Sequence, residues 1–127
     1  MQSYAIHDVP LLPQSKNMAC WYACAQMLIA WRRSRTLSCE SAHPDPSDVP
    51  ALEKEFIRND GLPFGKIANL AQKLGLVEVP PQTPSPGFVA SMLKAFGPLW
   101  FAGLVPSGHV MVITGVSDRS VSFNDPW

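Results

Sequence analysis

The sequence predicts an α+β fold, because segments typical of helices come first and segments typical of strands come last. A long apolar segment near the N-terminus has the length and composition of a buried helix. The last third of the chain is rich in Val, Ile, Phe and Trp, and short turn signals divide it. We therefore expect an N-terminal helical part, with one buried helix, packed on a C-terminal antiparallel sheet.

The size of the chain sets the number of domains. Its 127 residues are enough for one compact domain and too few for two domains of ordinary size, so we expect a single domain over residues 1–127. Hydrophobic residues make up 46% of the chain, which is enough for a real core. The sequence stops two residues after Asp125, which leaves open a truncation before a further strand.

Four segments predict helices. Residues 18–33 are apolar almost all the way round, which is typical of a buried helix. Amphipathic spacing predicts further helices at about residues 51–59, 63–74 and 86–96. Ser85 is the expected N-cap of the last helix, and Gly97 is its expected end.

Four segments predict strands. A short one is expected within residues 4–9, followed by a loop over residues 10–17. The C-terminal strands are expected at residues 99–105, 110–116 and 120–123. Hairpin connections are expected at residues 106–108 and 117–119.

Charge and hydropathy exclude several classes of function. Ten basic residues balance ten acidic ones, and no Lys/Arg run is present, which argues against a nucleic-acid binder or a polybasic membrane-surface protein. The longest apolar segment is too short for a membrane span, and no secretory signal is visible at the N-terminus. Three cysteines are an odd number, which fits a reducing compartment.

Cys20 is the first candidate for chemistry, because it lies in the first turn of the predicted apolar helix. Unpaired N–H groups and the helix dipole favour a thiolate at that position. The alternative is that Cys20 is a small buried hydrophobic residue. We prefer that alternative for Cys24, which lies a full turn further into the helix.

His109 and the Asn124-Asp125 pair are the next candidates. His109 opens one C-terminal strand, and the pair ends the following one. In a hairpin the start of one strand lies opposite the end of the other, so His109 should lie beside Asn124 or Asp125. The alternative is a capped core histidine and a simple turn signal.

Gln14 lies six residues before Cys20, in the loop that leads into the helix. Its amide N–H groups could reach an oxyanion that forms beside the Cys20 backbone N–H. The alternative is an ordinary solvated loop glutamine.

A zinc-binding module without catalytic activity is a competing hypothesis. Cys20 and Cys24, together with Cys39 and His43, have roughly finger-like spacing. The strongly apolar residues between the first two cysteines favour a helix over the polar turn of a zinc knuckle. We therefore expect no metal site.

Together these residues resemble the papain-like cysteine peptidases. The segment from Gln14 to Ala23 resembles that superfamily's oxyanion-hole glutamine, catalytic cysteine and following tryptophan, while residues 108–116 resemble its histidine strand. The compact AvrRpt2-type effector proteases are most similar, through Cys-Trp-Tyr-Ala-Cys-Ala, and the bacterial C39-like peptidases more distantly. Both groups use an aspartate before proline, so the resemblance implies Asp125 as the third residue, with Asn124 as the alternative. Residues 17–19 depart from the Cys-Gly-Ser of plant and animal enzymes.

The resemblance implies a cysteine hydrolase that cleaves a peptide or amide bond through a thioester, with Cys20, His109 and Asp125 as catalytic residues and no cofactor. The same superfamily also contains peptidoglycan amidases, deamidases and acyltransferases, and a non-catalytic binding domain is a further alternative. The implied partners are a protein or peptide substrate and a dedicated inhibitor or immunity protein. The implied location is the bacterial cytoplasm, with export by a specialised secretion system into a target cell.

Overall fold

The computed structural model describes residues 3–36, 66–79, 84–102 and 109–127. Within these ranges helices and antiparallel strands confirm the predicted α+β class. In chain order the elements are β1 (Tyr4–Ala5), α1 (Cys20–Thr36), α2 (Ile67–Leu74), α3 (Pro86–Phe96), β2 (Leu99–Ala102), β3 (Val110–Val116) and β4 (Val121–Asn124).

Strand β3 is the centre of the sheet, and all its neighbours run antiparallel to it. Ile113 pairs with Leu99 of β2 on one side and with Phe123 of β4 on the other. Gly115 pairs with β1 and β4 in the same way. Strands β2 and β1 therefore follow one another along one edge of β3, and β4 covers the other edge.

The two faces of the sheet pack against different helices. Val110 and Val112 belong to the core cluster that contains most of the buried residues of α1. Leu99 and Ile113 pack against a second cluster, which includes the buried face of α3. This division follows from strand geometry, because successive side chains point to opposite faces.

Helix α1 is buried over most of its length, as its composition predicts. Residues 21–25 and 27–30 are all buried. Burial on every side matches a helix that is apolar almost all the way round. None of the helices in the described ranges has both the length and the apolar character that crossing a membrane requires.

Several predicted boundaries differ from the structure. The strand expected within residues 4–9 contains only Tyr4–Ala5, because the chain then leaves the ladder and the Val9 carbonyl accepts a side-chain bond from Asn124. Helix α1 begins at Cys20, two residues later than predicted, and extends to Thr36. Strand β4 covers Val121–Asn124, one residue later than predicted at both ends.

Other predictions fall on residues outside the described ranges. These are the helix at 51–59, the start of the helix at 63–74, the end of the strand at 99–105 and the hairpin connection at 106–108. The other connection, at residues 117–119, joins two paired strands, which confirms that hairpin.

The predicted caps of α3 are confirmed. The Ser85 hydroxyl accepts a hydrogen bond from the Phe88 backbone N–H at 3.2 Å. Gly97 ends the helix with a φ of 94°. A Cβ atom at Gly97 would lie 2.4 Å from the Trp31 ring, so this position requires glycine for both its conformation and its space.

Candidate active site

His109 and Asp125 meet at the end of the β3–β4 hairpin. The His109 Nε2 atom lies 2.6 Å from the Asp125 Oδ1 atom. Both residues lie just outside the ladder, His109 before β3 and Asp125 after β4. The hairpin geometry that predicted this neighbourhood therefore brings an imidazole and a carboxylate into direct contact.

A β-bulge sets the register that allows this contact. Between the pairs Gly115–Ser122 and Ile113–Phe123, Thr114 has no partner on β4. A regular ladder counted from the turn would place Asp125 opposite Val112, on the other face from His109. A shift of one residue in register moves a side chain to the opposite face of the sheet. The bulge therefore places Asp125 on the same face of the sheet as His109.

The Asp125 carboxylate is held in its ionised form. Partial burial opposes ionisation, but the hydrogen bond from His109 and the bond from the Trp127 N–H outweigh it and lower the pKa of Asp125. The Trp127 N–H lies 3.0 Å from the same Oδ1 atom. An ionised carboxylate only accepts hydrogen bonds, so the His109 Nε2–H is the donor in the pair.

Cys20 is the first residue of α1, and its thiol is half-buried and free. Two bonds fix this end of the helix to the sheet. The Cys24 thiol donates to the Val110 carbonyl at 3.4 Å, and the Trp100 indole N–H donates to the Trp21 carbonyl at 3.0 Å. Since Val110 directly follows His109, the first turns of α1 and the start of β3 are in contact.

Cys24 is a structural thiol. Burial raises its pKa far above the ordinary value, and the nearby charges of Cys20 and Asp125 raise it further. Cys24 therefore remains protonated and acts as a donor to Val110.

The Gln14 side chain is engaged within its own loop. Its Nε2 atom donates to the carbonyls of Lys16 and Asn17, each at 2.9 Å. Its Oε1 atom is buried and has no partner among the described residues. Donation to an oxyanion would therefore require Gln14 to exchange one of these two bonds.

Asn124 contacts the N-terminal loop and not the imidazole. Its Nδ2 atom donates to the Val9 carbonyl at 3.2 Å and lies 3.4 Å from the Pro10 carbonyl. The geometry thus separates the two candidates for the third residue. Asp125 has the contact with His109, whereas Asn124 links two distant parts of the chain.

Half of the ligands of the zinc hypothesis, Cys39 and His43, lie outside the described residues. Within the described ranges no group of three or more His, Cys, Asp or Glu side chains is placed to hold a metal ion.

A family model described as papain-like cysteine protease AvrRpt2 matches residues 3–127, nearly the whole chain. The chain belongs to this family. Searches of curated proteins and of solved structures give no significant match. As a member of the AvrRpt2 family, the protein is a cysteine protease, a hydrolase that acts on peptide bonds in protein substrates.

Sequence reasoning missed two features of this AvrRpt2-family site. The first is the bulge at Thr114, for which the visible signal is a small residue, Gly115, inside a strand rich in β-branched residues. The second is the role of the Val9 and Pro10 carbonyls as acceptors for Asn124. Backbone acceptors have no signature in a sequence.

Proposed function

We propose that this protein cleaves its substrates with Cys20 as nucleophile, His109 as general base and Asp125 as the residue that orients the base. The observation that carries the proposal is the 2.6 Å contact between His109 and Asp125, at the end of the sheet that packs against the first turns of α1. A nucleophile, a base and an acceptor for the base are the parts that such a site needs.

Because Asp125 contacts the Nε2 atom of His109, the Nδ1 atom is the one that remains for Cys20. Asp125 accepts the Nε2–H, so a neutral His109 carries its lone pair on Nδ1. Nδ1 is then the atom that takes the proton from the Cys20 thiol. The resulting imidazolium is stabilised by the Asp125 carboxylate, and the thiolate by the N-terminus of α1.

The reaction follows from these roles. The Cys20 thiolate attacks the carbonyl carbon of the scissile bond and forms a tetrahedral oxyanion. As this intermediate collapses, the C–N bond breaks, and His109 Nδ1–H protonates the leaving amine. Water, deprotonated by His109, then attacks the thioester carbon and releases the acid and the free thiol.

The oxyanion needs donors, for which we propose the Cys20 backbone N–H and the Gln14 amide. Each preorganised donor is worth about 3 kcal/mol of transition-state stabilisation. Gln14 gains this interaction only if it releases the carbonyl of Lys16 or Asn17, to which it donates in the structure. Because its Oε1 atom is buried and accepts no hydrogen bond from the described part of the chain, a rotation of the amide has little acceptor bonding to lose there.

The test compares Cys20→Ala with Cys24→Ala, a matched control on the same helix. New N-termini are profiled across a proteome treated with each protein, and Cys20 labelling by a thiol-directed probe is followed by mass spectrometry. We expect proteolysis and rapid probe labelling in wild type and Cys24→Ala, and no proteolysis in Cys20→Ala. Proteolysis by Cys20→Ala equal to wild type would remove Cys20 from the nucleophile role.

We further propose that the protein is a bacterial effector that acts inside a target cell, where an inhibitor or immunity protein controls it. The support is the AvrRpt2 family match. Fusion to a translocation reporter in a bacterial host tests the export. Cleavage of muropeptides in place of proteins would instead favour a peptidoglycan amidase.

A further inference from the structure

Asn124 belongs to the last pair of the hairpin ladder, opposite Val112, and directly precedes Asp125, the residue that contacts His109. Its bonds to the carbonyls of Val9 and Pro10 join positions 115 and 114 residues apart in the sequence. Both acceptors lie in the loop that leads to Gln14. These contacts have no part in the chemical steps proposed above.

A backbone hydrogen bond also joins the same two segments. The Gln14 backbone N–H donates to the Pro126 carbonyl at 2.8 Å. Pro126 is among the fully buried side chains, so this bond is well shielded from water. Asp125 is therefore flanked on both sides by residues that bond to the loop at positions 9–14.

We propose that Asn124 is a positioning residue, which holds the loop at positions 9–14 against the segment at positions 124–126. The inference rests on the proposed function, because that function gives Gln14 and Asp125 their roles. The Asn124 bonds thereby hold Gln14, the proposed oxyanion donor, and Asp125, the acceptor of the His109 N–H, at fixed positions relative to each other.

The chemistry of the side chain explains why asparagine is suited to this position. A primary amide offers two hydrogens on one nitrogen, and here two backbone carbonyls lie within 3.4 Å of that nitrogen. Aspartate has the same shape but only accepts when ionised, so it would face both carbonyls with negative charge. Leucine has a similar size and no donor.

Misplacement of the loop should affect the transition state more than substrate binding. The contacts of Gln14 and Asp125 act on the oxyanion and the imidazolium, which develop only during the reaction. We therefore expect Asn124→Leu to lower kcat about fivefold to tenfold, with KM changed by less than about twofold. Asn124→Asp should lower kcat at least as much.

The matched control is Ser85→Ala, at a position to which the proposed function gives no role. It removes a side-chain hydrogen bond of the same length as the bond from Asn124 to the Val9 carbonyl, the bond from the Phe88 N–H to the Ser85 hydroxyl at 3.2 Å. The substrate is a peptide that carries the most rapidly cleaved site from the N-terminus profiling. A second measurement is the rate of Cys20 alkylation by iodoacetamide as a function of pH, which responds to the orientation of the imidazole and needs no substrate.

The proposal is supported if Asn124→Leu loses kcat and has an altered alkylation profile, while Ser85→Ala loses thermal stability alone. It is overturned if Asn124→Leu and Ser85→Ala show the same kcat and the same alkylation profile. If Asn124→Leu does not fold, the same comparison is made with Asn124→Ser, which retains one donor. Cys20→Ala distinguishes a failure of this inference from a failure of the proposed function, because full activity of Cys20→Ala would overturn the proposed function itself.

Discussion

The contact between His109 and Asp125 gives the sharpest quantitative prediction. Asp125→Asn keeps an acceptor oxygen and the shape of the side chain but removes the negative charge. Asp125→Ala removes the acceptor as well. If Asp125 orients His109 and stabilises the imidazolium, the two variants should lose catalysis in that order.

The exposure of the pair decides the magnitude. A hydrogen bond to a charged group contributes a net 1.5–3 kcal/mol, roughly, when it is well shielded. Here the side chains of His109 and Asp125 are 24% and 43% exposed, so water screens part of the charge. We therefore expect losses of about 1 kcal/mol for Asp125→Asn and about 2 kcal/mol for Asp125→Ala, or about fivefold and thirtyfold in kcat/KM.

The assay is the steady-state cleavage of the profiled peptide at neutral pH, with Cys20 alkylation as a second measurement. Far-UV circular dichroism checks that each variant is folded. Activity of Asp125→Ala within about twofold of wild type would show that the contact does not serve catalysis. A larger loss for Asn124→Leu than for Asp125→Ala would move the role of third residue to Asn124.

Three further predictions concern stability, measured by urea unfolding. Cys24→Ala should lower the free energy of unfolding by about 1–2 kcal/mol, because it leaves a small cavity and removes the donor to the Val110 carbonyl; no loss would contradict a structural role for this thiol. Gly97→Ala should cost about 2–3 kcal/mol, since its Cβ would clash with Trp31 at a positive φ, and a neutral effect would argue against that close approach. The lowered pKa of Asp125 means that its carboxylate stabilises the fold above its ordinary pKa of 3.8, and that this contribution disappears as the pH falls through the folded value. Asp125→Asn should therefore be less stable than wild type at neutral pH, by up to about 1 kcal/mol, and the difference should vanish once the pH is below the lowered pKa of Asp125; a difference that is constant with pH would exclude this linkage.

Much of the fold follows from local patterns in the sequence. The all-round apolar character of α1 predicts its burial, and Ser85 and Gly97 define both ends of α3. The bounds of β3 also match its run of residues rich in Val, Ile and Thr. These features depend on residues close together in the chain, where periodicity and capping are informative.

The remaining features depend on long-range contacts. The sequence predicts a hairpin that brings His109 near Asn124 or Asp125, but it does not choose between them. The choice depends on the bulge at Thr114, which shifts the register by one residue. A bulge is stabilised by packing on both faces of the sheet, here against α1 and α3, and local propensity does not encode that packing.

The strand expected within residues 4–9 stops at Ala5 for a local and a long-range reason. Asp8 and Pro10 have low β-propensity, although the Ile6 N–H still donates to the Thr114 carbonyl. The Val9 carbonyl accepts a bond from Asn124, which holds this part of the chain at the end of β4. A contact more than one hundred residues away in sequence thus adds to a weak local preference.

The geometry of the candidate site depends on how α1 docks on the sheet, because the helix carries the thiol and the sheet carries its base. Two bonds define that docking, from Cys24 to Val110 and from Trp100 to the carbonyl of Trp21. Both lie within the first turns of α1, so they constrain the end of the helix that carries Cys20. A sliding or tilting motion of the helix would have to break at least one of them, and each contributes about 1 kcal/mol. Because the bond from Trp100 and the buried contacts of α1 remain when Cys24 is replaced, Cys24→Ala should lose stability while it keeps the thiol of Cys20 in place.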